Sequence, residues 1–222
     1  MNKVILTSHP KSGRKLFRAI WQANIEGWEI VRPDRNHLNP FEGVRCGNVV
    51  LLVRDGRDVM TTAYYVNKKE MKFSEYLNYP YRNLLGQNKS VIEKMCPIEY
   101  WVRFNQSWLN MGDQLDRLII IRFEYLLEHQ EEAIRYLRRR LPAPHKKIKL
   151  VKPEKGLYGV EKEAWMREKS NGIGKWMGVF THEDRKKFDR IAAPIMSKLA
   201  YYTEYIGEHF DTSTLSRTLS NY

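Results

Sequence analysis

Residues 49–54, Val-Val-Leu-Leu-Val-Arg, are five consecutive apolar residues followed at once by an arginine. A short run that is apolar at every position is typical of a strand covered on both faces, as in a parallel sheet. Asp55 follows the arginine and is a suitable N-cap for a helix that we predict to continue through Tyr65. Asp58, three residues on, stands where a capping box has its acid. The stretch therefore predicts strand, turn and helix, with Arg54 at the carboxyl end of the strand.

Two further segments repeat this pattern. Val4–Thr7 is followed by a short loop and by apolar residues at helical spacing up to Ile25, and Leu118–Phe123 is followed by a predicted helix to about Leu141. Trp28–Val31 is a candidate for another short strand. Strands that alternate with helices predict an α/β fold, with a central parallel sheet flanked by helices. We predict a single domain over residues 1–210 and a polar, mobile tail over residues 211–222.

The segment over residues 68–111 is helical in character and rich in aromatic residues. Two interpretations remain open for it. The aromatic side chains either form the core of packed helices or cover a ligand cleft, because aromatic residues also line binding pockets.

The bulk composition favours an anionic partner. The chain has 222 residues and a formal net charge of +12, which attracts phosphorylated or sulfated molecules, nucleic acid or acidic surfaces. Cys46 and Cys96 are the only cysteines and lack metal-ligand spacing, and no apolar run approaches the length that spans a bilayer. We expect a soluble, cytoplasmic protein without a metal site.

The loop after the first predicted strand has the chemistry of a phosphate site. Ser12 and Gly13 let a ligand approach the backbone N–H groups at a helix N-terminus, and Lys11 adds an ammonium group. No Walker A sequence is present, which disfavours the usual ATP or GTP hydrolysis. Arg54 stands at a second strand end, where α/β proteins bind ligands. Two such ends imply a ligand with two phosphate groups, although a plain turn at Gly13 and a surface ion pair for Arg54 remain alternatives.

Several segments, in chain order, resemble the sulfotransferases that use 3′-phosphoadenylyl sulfate (PAPS). Pro-Lys-Ser-Gly at residues 10–13 is similar to the 5′-phosphosulfate loop of that family, and residues 49–65 are similar to its 3′-phosphate segment. Residues 121–126 resemble the family's third strand. Residues 169–176, Lys-Ser-Asn-Gly-Ile-Gly-Lys-Trp, are similar to its late glycine-containing loop. The resemblance implies the P-loop NTPase-like sulfotransferase fold.

The resemblance also implies roles for individual residues. Lys11 would stabilise the leaving phosphosulfate, and Phe123 stands where the family has a tyrosine near the adenine. Arg54 and Thr62 would hold the 3′-phosphate. The remaining implied donor-binding residues are Ser12 and Gly13 in the first loop, and Lys169, Gly172 and Gly174 in the late loop.

The chain departs from the family pattern in two loops. Arg14-Lys15-Leu16 replaces Thr-Thr-Trp after the first loop, so two hydroxyls and an adenine-stacking ring are lost and two cations are gained. We include Arg14 and Lys15 among the predicted phosphate-binding residues. In the late loop one cation is lost, for which Arg167 is a candidate replacement. The family's dimer motif is nearly absent, with Thr181 retained, so the oligomeric state stays open.

A general base is needed if the acceptor is a hydroxyl. His37 resembles the catalytic histidine of the family and is the first candidate, and His9 is the second. A surface-loop histidine is the alternative for His37. No metal is required by this chemistry.

Other functions remain possible from the sequence. A P-loop kinase is disfavoured by the missing Walker A sequence. A nucleic-acid-binding or anionic-glycan-binding protein is suggested by the charge, and by basic clusters at 138–140 and 146–149 that we interpret as a solvated face. A protein that binds PAPS without turnover is the third alternative. The acceptor is unknown and is either aromatic or anionic.

Overall fold

The computed structural model describes residues 2–31, 47–67, 71–80, 95–144, 146–152 and 172–201. The chain divides into two compact units. The first takes its described residues from Met1–Arg54 and Ser107–Glu161, and the second from Asp55–Gln106 and Lys162–Ile206. The single domain over residues 1–210 stays a prediction, and the tail over residues 211–222 lies outside the described residues.

The first unit is built on a parallel sheet. Its strands within the described ranges are β1 (Asn2–Ser8), β2 (Trp28–Val31), β3 (Asn48–Val53) and β4 (Arg117–Arg122), in the order β2-β1-β3-β4. All three pairings are parallel, with Leu6 opposite Val50 and Val50 opposite Ile119. This confirms the predicted α/β fold with a central parallel sheet.

The apolar run that predicted β3 is buried on both faces. Val50 and Leu52 belong to a core cluster with residues of α1 (Arg14–Asn24), α5 (Phe123–Glu128) and α6 (Gln130–Arg140). Val49 and Leu51 point to the opposite face of the sheet, because side chains alternate along a strand, and they are also fully buried. The absence of polar residues from positions 49–53 of this strand follows from that double burial.

The region after β4 differs from the prediction. The strand ends at Arg122, and Phe123 is the first residue of α5 instead of the last residue of the strand. The predicted single helix to about Leu141 is two helices, α5 and α6. They meet at His129, whose φ of −129° and ψ of 51° are not helical.

The second unit is helical and has an aromatic core. It contains α2 (Gly56–Asn67), α3 (Phe73–Tyr76), the part of α4 (Pro97–Asn110) up to Gln106, a 3₁₀ turn over Lys175–Gly178, and α7 (His182–Lys198). Its buried aromatic side chains include Phe73, Tyr76, Trp101, Phe104, Phe180 and Phe188. Burial raises the pKa of the Tyr76 hydroxyl above its ordinary value. For the aromatic residues that the structure describes here, core packing is the interpretation that the burial supports.

The segment over residues 146–152, which belongs to no helix or strand, is held to the rest of the first unit by side-chain amides. Asn24 Nδ2 donates to the Lys149 carbonyl and Asn24 Oδ1 accepts from the Lys149 N–H, each over 2.8 Å. Gln130 pairs in the same way with the N–H and carbonyl of Val151, at 2.6 and 3.0 Å. The two side-chain amides bind the backbone of this segment as a neighbouring strand would. They supply hydrogen-bond partners to backbone groups that lie outside the sheet.

The burial of Arg138 contradicts the prediction that the basic clusters form a solvated face. It is only 6% exposed, and its guanidinium donates to the carbonyl of Asn24 at 3.0 and 3.2 Å and to that of Lys146. Lys147 and Lys149 are exposed, as the prediction required. One arginine of the cluster therefore has a structural role.

Replacing Asn24 by alanine tests the fastening of residues 146–152. Asn24 is buried and makes three side-chain hydrogen bonds, so Asn24→Ala should lower the free energy of unfolding by about 2–3 kcal/mol. Gln22→Ala, an exposed position on the same helix, is the control and should change it by less than about 0.5 kcal/mol. Urea unfolding measures both, and equal stability of the two variants would contradict this account.

Candidate functional site

The loop between β1 and α1 has the backbone of an anion site. Lys11 has a φ of 71° and Gly13 a φ of 85°, and Gly13 is the N-cap of the eleven-residue helix α1. A lysine in this conformation is strained, and such strain is concentrated at functional sites. The Ser12 hydroxyl is 1% exposed as a residue and has no hydrogen-bond partner within the described part of the chain. A buried hydroxyl at an electropositive helix end is suited to an anionic ligand.

Arg54 joins the end of β3 to this loop. Its Nη1 donates to the Lys11 carbonyl over 2.9 Å, and the residue is 3% exposed. Arg54 is therefore buried, which excludes the alternative that it forms an ion pair on the surface. Asp55, the next residue in the chain, makes a 2.7 Å ion pair with Arg57.

Phe123 packs between Arg54 and the first loop. The Arg54 guanidinium carbon lies 5.0 Å from the centre of its ring, within the range of a cation–π contact. A Cβ atom built on Gly13 would lie 2.2 Å from two carbons of the same ring. Four predicted site residues, Lys11, Gly13, Arg54 and Phe123, therefore meet at the carboxyl ends of β1, β3 and β4.

The two cations that replace the family's threonines differ in their surroundings. Arg14 Nε donates to the Ser8 hydroxyl at 3.0 Å, and Arg14 Nη2 donates to the Ser8 carbonyl at 2.9 Å. Arg14 thus fixes the end of β1 and holds a positive charge there. Lys15, in the first turn of α1, is exposed.

The structure describes one of the two candidate bases. His9 is 2% exposed, and its Nδ1 lies 2.8 Å from the Pro10 carbonyl oxygen. His37 and Lys169 lie outside the described residues, as does Arg167. The choice between His9 and His37 therefore remains a prediction.

Asp58 accepts two hydrogen bonds from the backbone of the predicted late loop. Its Oδ2 accepts from the Gly174 N–H at 2.8 Å, and its Oδ1 accepts from the Trp176 N–H at 3.1 Å. Gly172 and Gly174 have φ values of 136° and 72°, which glycine adopts without strain. Thr62 is buried one helical turn beyond Asp58 on the same side of α2.

The sequence analysis missed the residues around Trp176. The Trp176 ring has two guanidinium groups near it, with Arg57 at 4.1 Å and Arg185 at 5.0 Å from the ring to the guanidinium carbon. Arg57 is oriented by Asp55, which also caps α2 as predicted by accepting from the Arg57 N–H at 2.8 Å. The signal was present in Asp55-Gly56-Arg57-Asp58, which the sequence analysis interpreted as a turn and cap within the segment that resembles the family's 3′-phosphate site, without a role for Arg57.

Two searches of the described residues concern other kinds of site. They contain no group of three or more His, Cys, Asp or Glu side chains placed to hold a metal ion. None of their helices combines the length and the apolar character needed to cross a membrane.

Comparison with known proteins identifies the architecture. The structure is similar to that of mouse sulfotransferase SULT7A1 complexed with PAP, with a TM-score of 0.57 and 14% sequence identity over 88% of this chain and 85% of that one. The chain has the sulfotransferase fold. The sulfotransferase domain from the curacin biosynthetic pathway also matches, with 16% identity over 93% of this chain and 67% of that one. Its TM-score of 0.36 adds nothing to the conclusion. No protein-family model matches the sequence, and no curated protein matches it significantly.

Replacing Gly13 by alanine tests the contact between the first loop and Phe123. Gly13 and Gly27 both have positive φ, but a Cβ at Gly27 would meet nothing within 4 Å. Each Gly→Ala change should lower the free energy of unfolding by about 1–2 kcal/mol, because alanine is strained at a positive φ. Gly13→Ala should cost about 1–3 kcal/mol more, because the Phe123 ring must move. Thermal unfolding measures the difference between the two variants. Equal destabilisation would show that the Phe123 ring moves aside at no energetic cost and would contradict a tight contact with Gly13.

Proposed function

We propose that this protein is a sulfotransferase that moves a sulfonyl group from PAPS to a hydroxyl or amine acceptor. The observation that carries the proposal is the loop between β1 and α1, with its buried Ser12 hydroxyl and the Arg54 guanidinium bound to the Lys11 carbonyl. The similar mouse structure is a complex with PAP, which supports a nucleotide of this class as the ligand. The net charge of +12 favours such an anion as well.

Binding of the donor is proposed to begin at the first loop. The Gly13 N–H and the Ser12 hydroxyl would donate to the 5′-phosphate at the N-terminus of α1. The Ser12 N–H, which donates to the His9 carbonyl at 3.3 Å, would share that hydrogen bond with the phosphate. Arg14 and Lys15 would supply positive charge where the family has hydroxyls. Arg54 would bind the 3′-phosphate, and its contact with Phe123 would fix the plane of the guanidinium. Phe123 is itself 2% exposed, so we propose that it acts mainly through Arg54.

The reaction proposed is an in-line displacement at sulfur. The acceptor oxygen or nitrogen forms a bond to sulfur while the bond from sulfur to the 5′-phosphate oxygen breaks, and PAP leaves with the electron pair. Lys11 would stabilise the charge that develops on the leaving oxygen. His37 is the proposed base that takes the proton of a hydroxyl acceptor, with His9 as the second candidate.

The resemblance suggests further contacts with the donor. Thr62, Gly172, Gly174 and Lys169 are proposed to contact the 3′-phosphate. The cytoplasmic location remains a prediction, and the acceptor class is proposed to be aromatic or anionic.

A second candidate function is PAPS binding without turnover. The departure at Arg14-Lys15-Leu16 favours it, because Arg14 is hydrogen-bonded to Ser8 at the end of β1 and the hydroxyls of the family pattern are missing. The two functions are distinguished by the release of PAP. An enzyme releases PAP from PAPS in the presence of an acceptor, whereas a binding protein does not.

Calorimetric titration with PAP, AMP and ATP tests the donor site. We expect wild-type protein to prefer PAP, and Arg54→Ala to weaken PAP binding by about 10–100-fold, as expected for loss of a charged hydrogen-bonding partner. Arg135→Ala removes the same charge from an exposed ion pair on α6 and should leave the affinity within about twofold. No preference of the wild-type protein for PAP would refute the proposed donor.

Replacing Lys11 by alanine tests turnover. If Lys11 acts on the leaving oxygen, Lys11→Ala should slow release of PAP from PAPS by about 10²–10³-fold, measured with a panel of phenols and amines as acceptors. Lys3→Ala, an exposed lysine at the start of β1, is the control and should keep the wild-type rate. Binding of PAPS without PAP release by the wild-type protein would favour the second candidate function.

A further inference from the structure

We propose that Asp58 is a positioning residue that holds the segment Gly172–Trp176 for recognition of the 3′-phosphate. The inference rests on the proposed function, in which Gly172 and Gly174 contact that phosphate. What it adds is the source of the segment's conformation: a carboxylate on α2 that the sequence analysis considered only as a capping-box acid and that the proposed reaction does not use.

The geometry uses both oxygens of the carboxylate. Oδ2 accepts from Gly174 and Oδ1 accepts from Trp176, at 2.8 and 3.1 Å, and Asp58 is 1% exposed. A carboxylate is acceptor-only, whereas an asparagine amide would present an NH₂ group to one of the two N–H donors. The acid gives each amide its own acceptor oxygen, which asparagine does not.

The backbone of the segment depends on such an external support. Gly172 and Gly174 both have positive φ, and 3₁₀ structure begins only at Lys175. The Trp176 ring is held separately by the guanidinium groups of Arg57 and Arg185. The carboxylate fixes the backbone of the segment and the two arginines fix its side chain.

Position on α2 links the segment to Thr62. Asp58 and Thr62 are four residues apart, so they lie on the same side of the helix about 6 Å apart along its axis. The segment bound at Asp58 is thereby held about one helical turn from the Thr62 hydroxyl. Asp58 thus sets the spacing between two predicted contacts of the same phosphate.

A helix-capping role alone would not require these contacts. Asp58 lies in the first turn of α2, where any acid is favourable to the helix. Glu183 occupies the first turn of α7 and is exposed. Glu183→Gln therefore removes a first-turn carboxylate from the same unit and serves as the matched control.

The experiment compares PAP with AMP, which lacks the 3′-phosphate, on wild-type protein, Asp58→Asn and Glu183→Gln. We expect Asp58→Asn to weaken PAP binding by about tenfold or more, the size of one lost charge-assisted hydrogen bond. AMP affinity should stay within about threefold, and Glu183→Gln should leave both affinities unchanged. A parallel loss of PAP and AMP affinity in Asp58→Asn, or none, would overturn the inference.

Failure of the proposed function is distinguishable from failure of this inference. Equal wild-type affinity for PAP and AMP would overturn the proposed function and the inference with it. A wild-type preference for PAP that survives in Asp58→Asn would overturn the inference alone.

If Asp58→Asn does not fold, hydrogen exchange of the wild-type protein tests the same inference. We expect the amides of Gly174 and Trp176 to be protected and PAP to slow their exchange further than AMP does. Unprotected amides, or the same exchange with both nucleotides, would contradict the role of Asp58.

Discussion

The hydrogen bond from Arg54 to the Lys11 carbonyl is the interaction on which the candidate site depends. It joins the end of β3 to the loop after β1, and it is made to a residue whose φ of 71° is unfavourable for lysine. Such a conformation costs roughly 1–2 kcal/mol and persists only where the surroundings enforce it. The Arg54 hydrogen bond holds the Lys11 carbonyl, and the Phe123 ring lies near the Arg54 guanidinium and leaves no room for a side chain at residue 13.

A common device recurs in both units: polar side chains bind the backbone of irregular segments. In the first unit, Asn24 and Gln130 fasten residues 146–152, and Arg14 binds the end of β1. In the second unit, the Asp58 carboxylate does the same for Gly174 and Trp176. Buried backbone groups need partners, and these segments find them outside helices and sheets. Substitutions at such side chains therefore act on backbone conformation more than on local packing.

The sequence was sufficient to predict what depends on neighbouring residues. The apolar run of β3, its parallel partners and the Asp55 cap all follow from local pattern, and the structure confirms them. The start of α5 at Phe123 was missed, because an apolar run does not show where a strand gives way to a helix. The burial of Arg138 and the contacts of Asp58 with Gly174 join residues more than a hundred positions apart. The spacing of apolar residues within one element does not indicate contacts between distant parts of the chain. The roles proposed for the site residues come from the family resemblance.

The pairing of β3 with β4 has a consequence for biosynthesis. A nascent chain completes β3 well before β4, with the whole of α2, α3 and α4 between them. Until Arg117–Arg122 has emerged, one edge of an apolar strand lacks its neighbour, and closing so long an interval costs chain entropy. Unpaired apolar strand edges are prone to aggregate. The sheet of the first unit is therefore completed only after Arg117–Arg122 has been synthesised, and until then β3 is exposed to aggregation in the ribosome-bound chain.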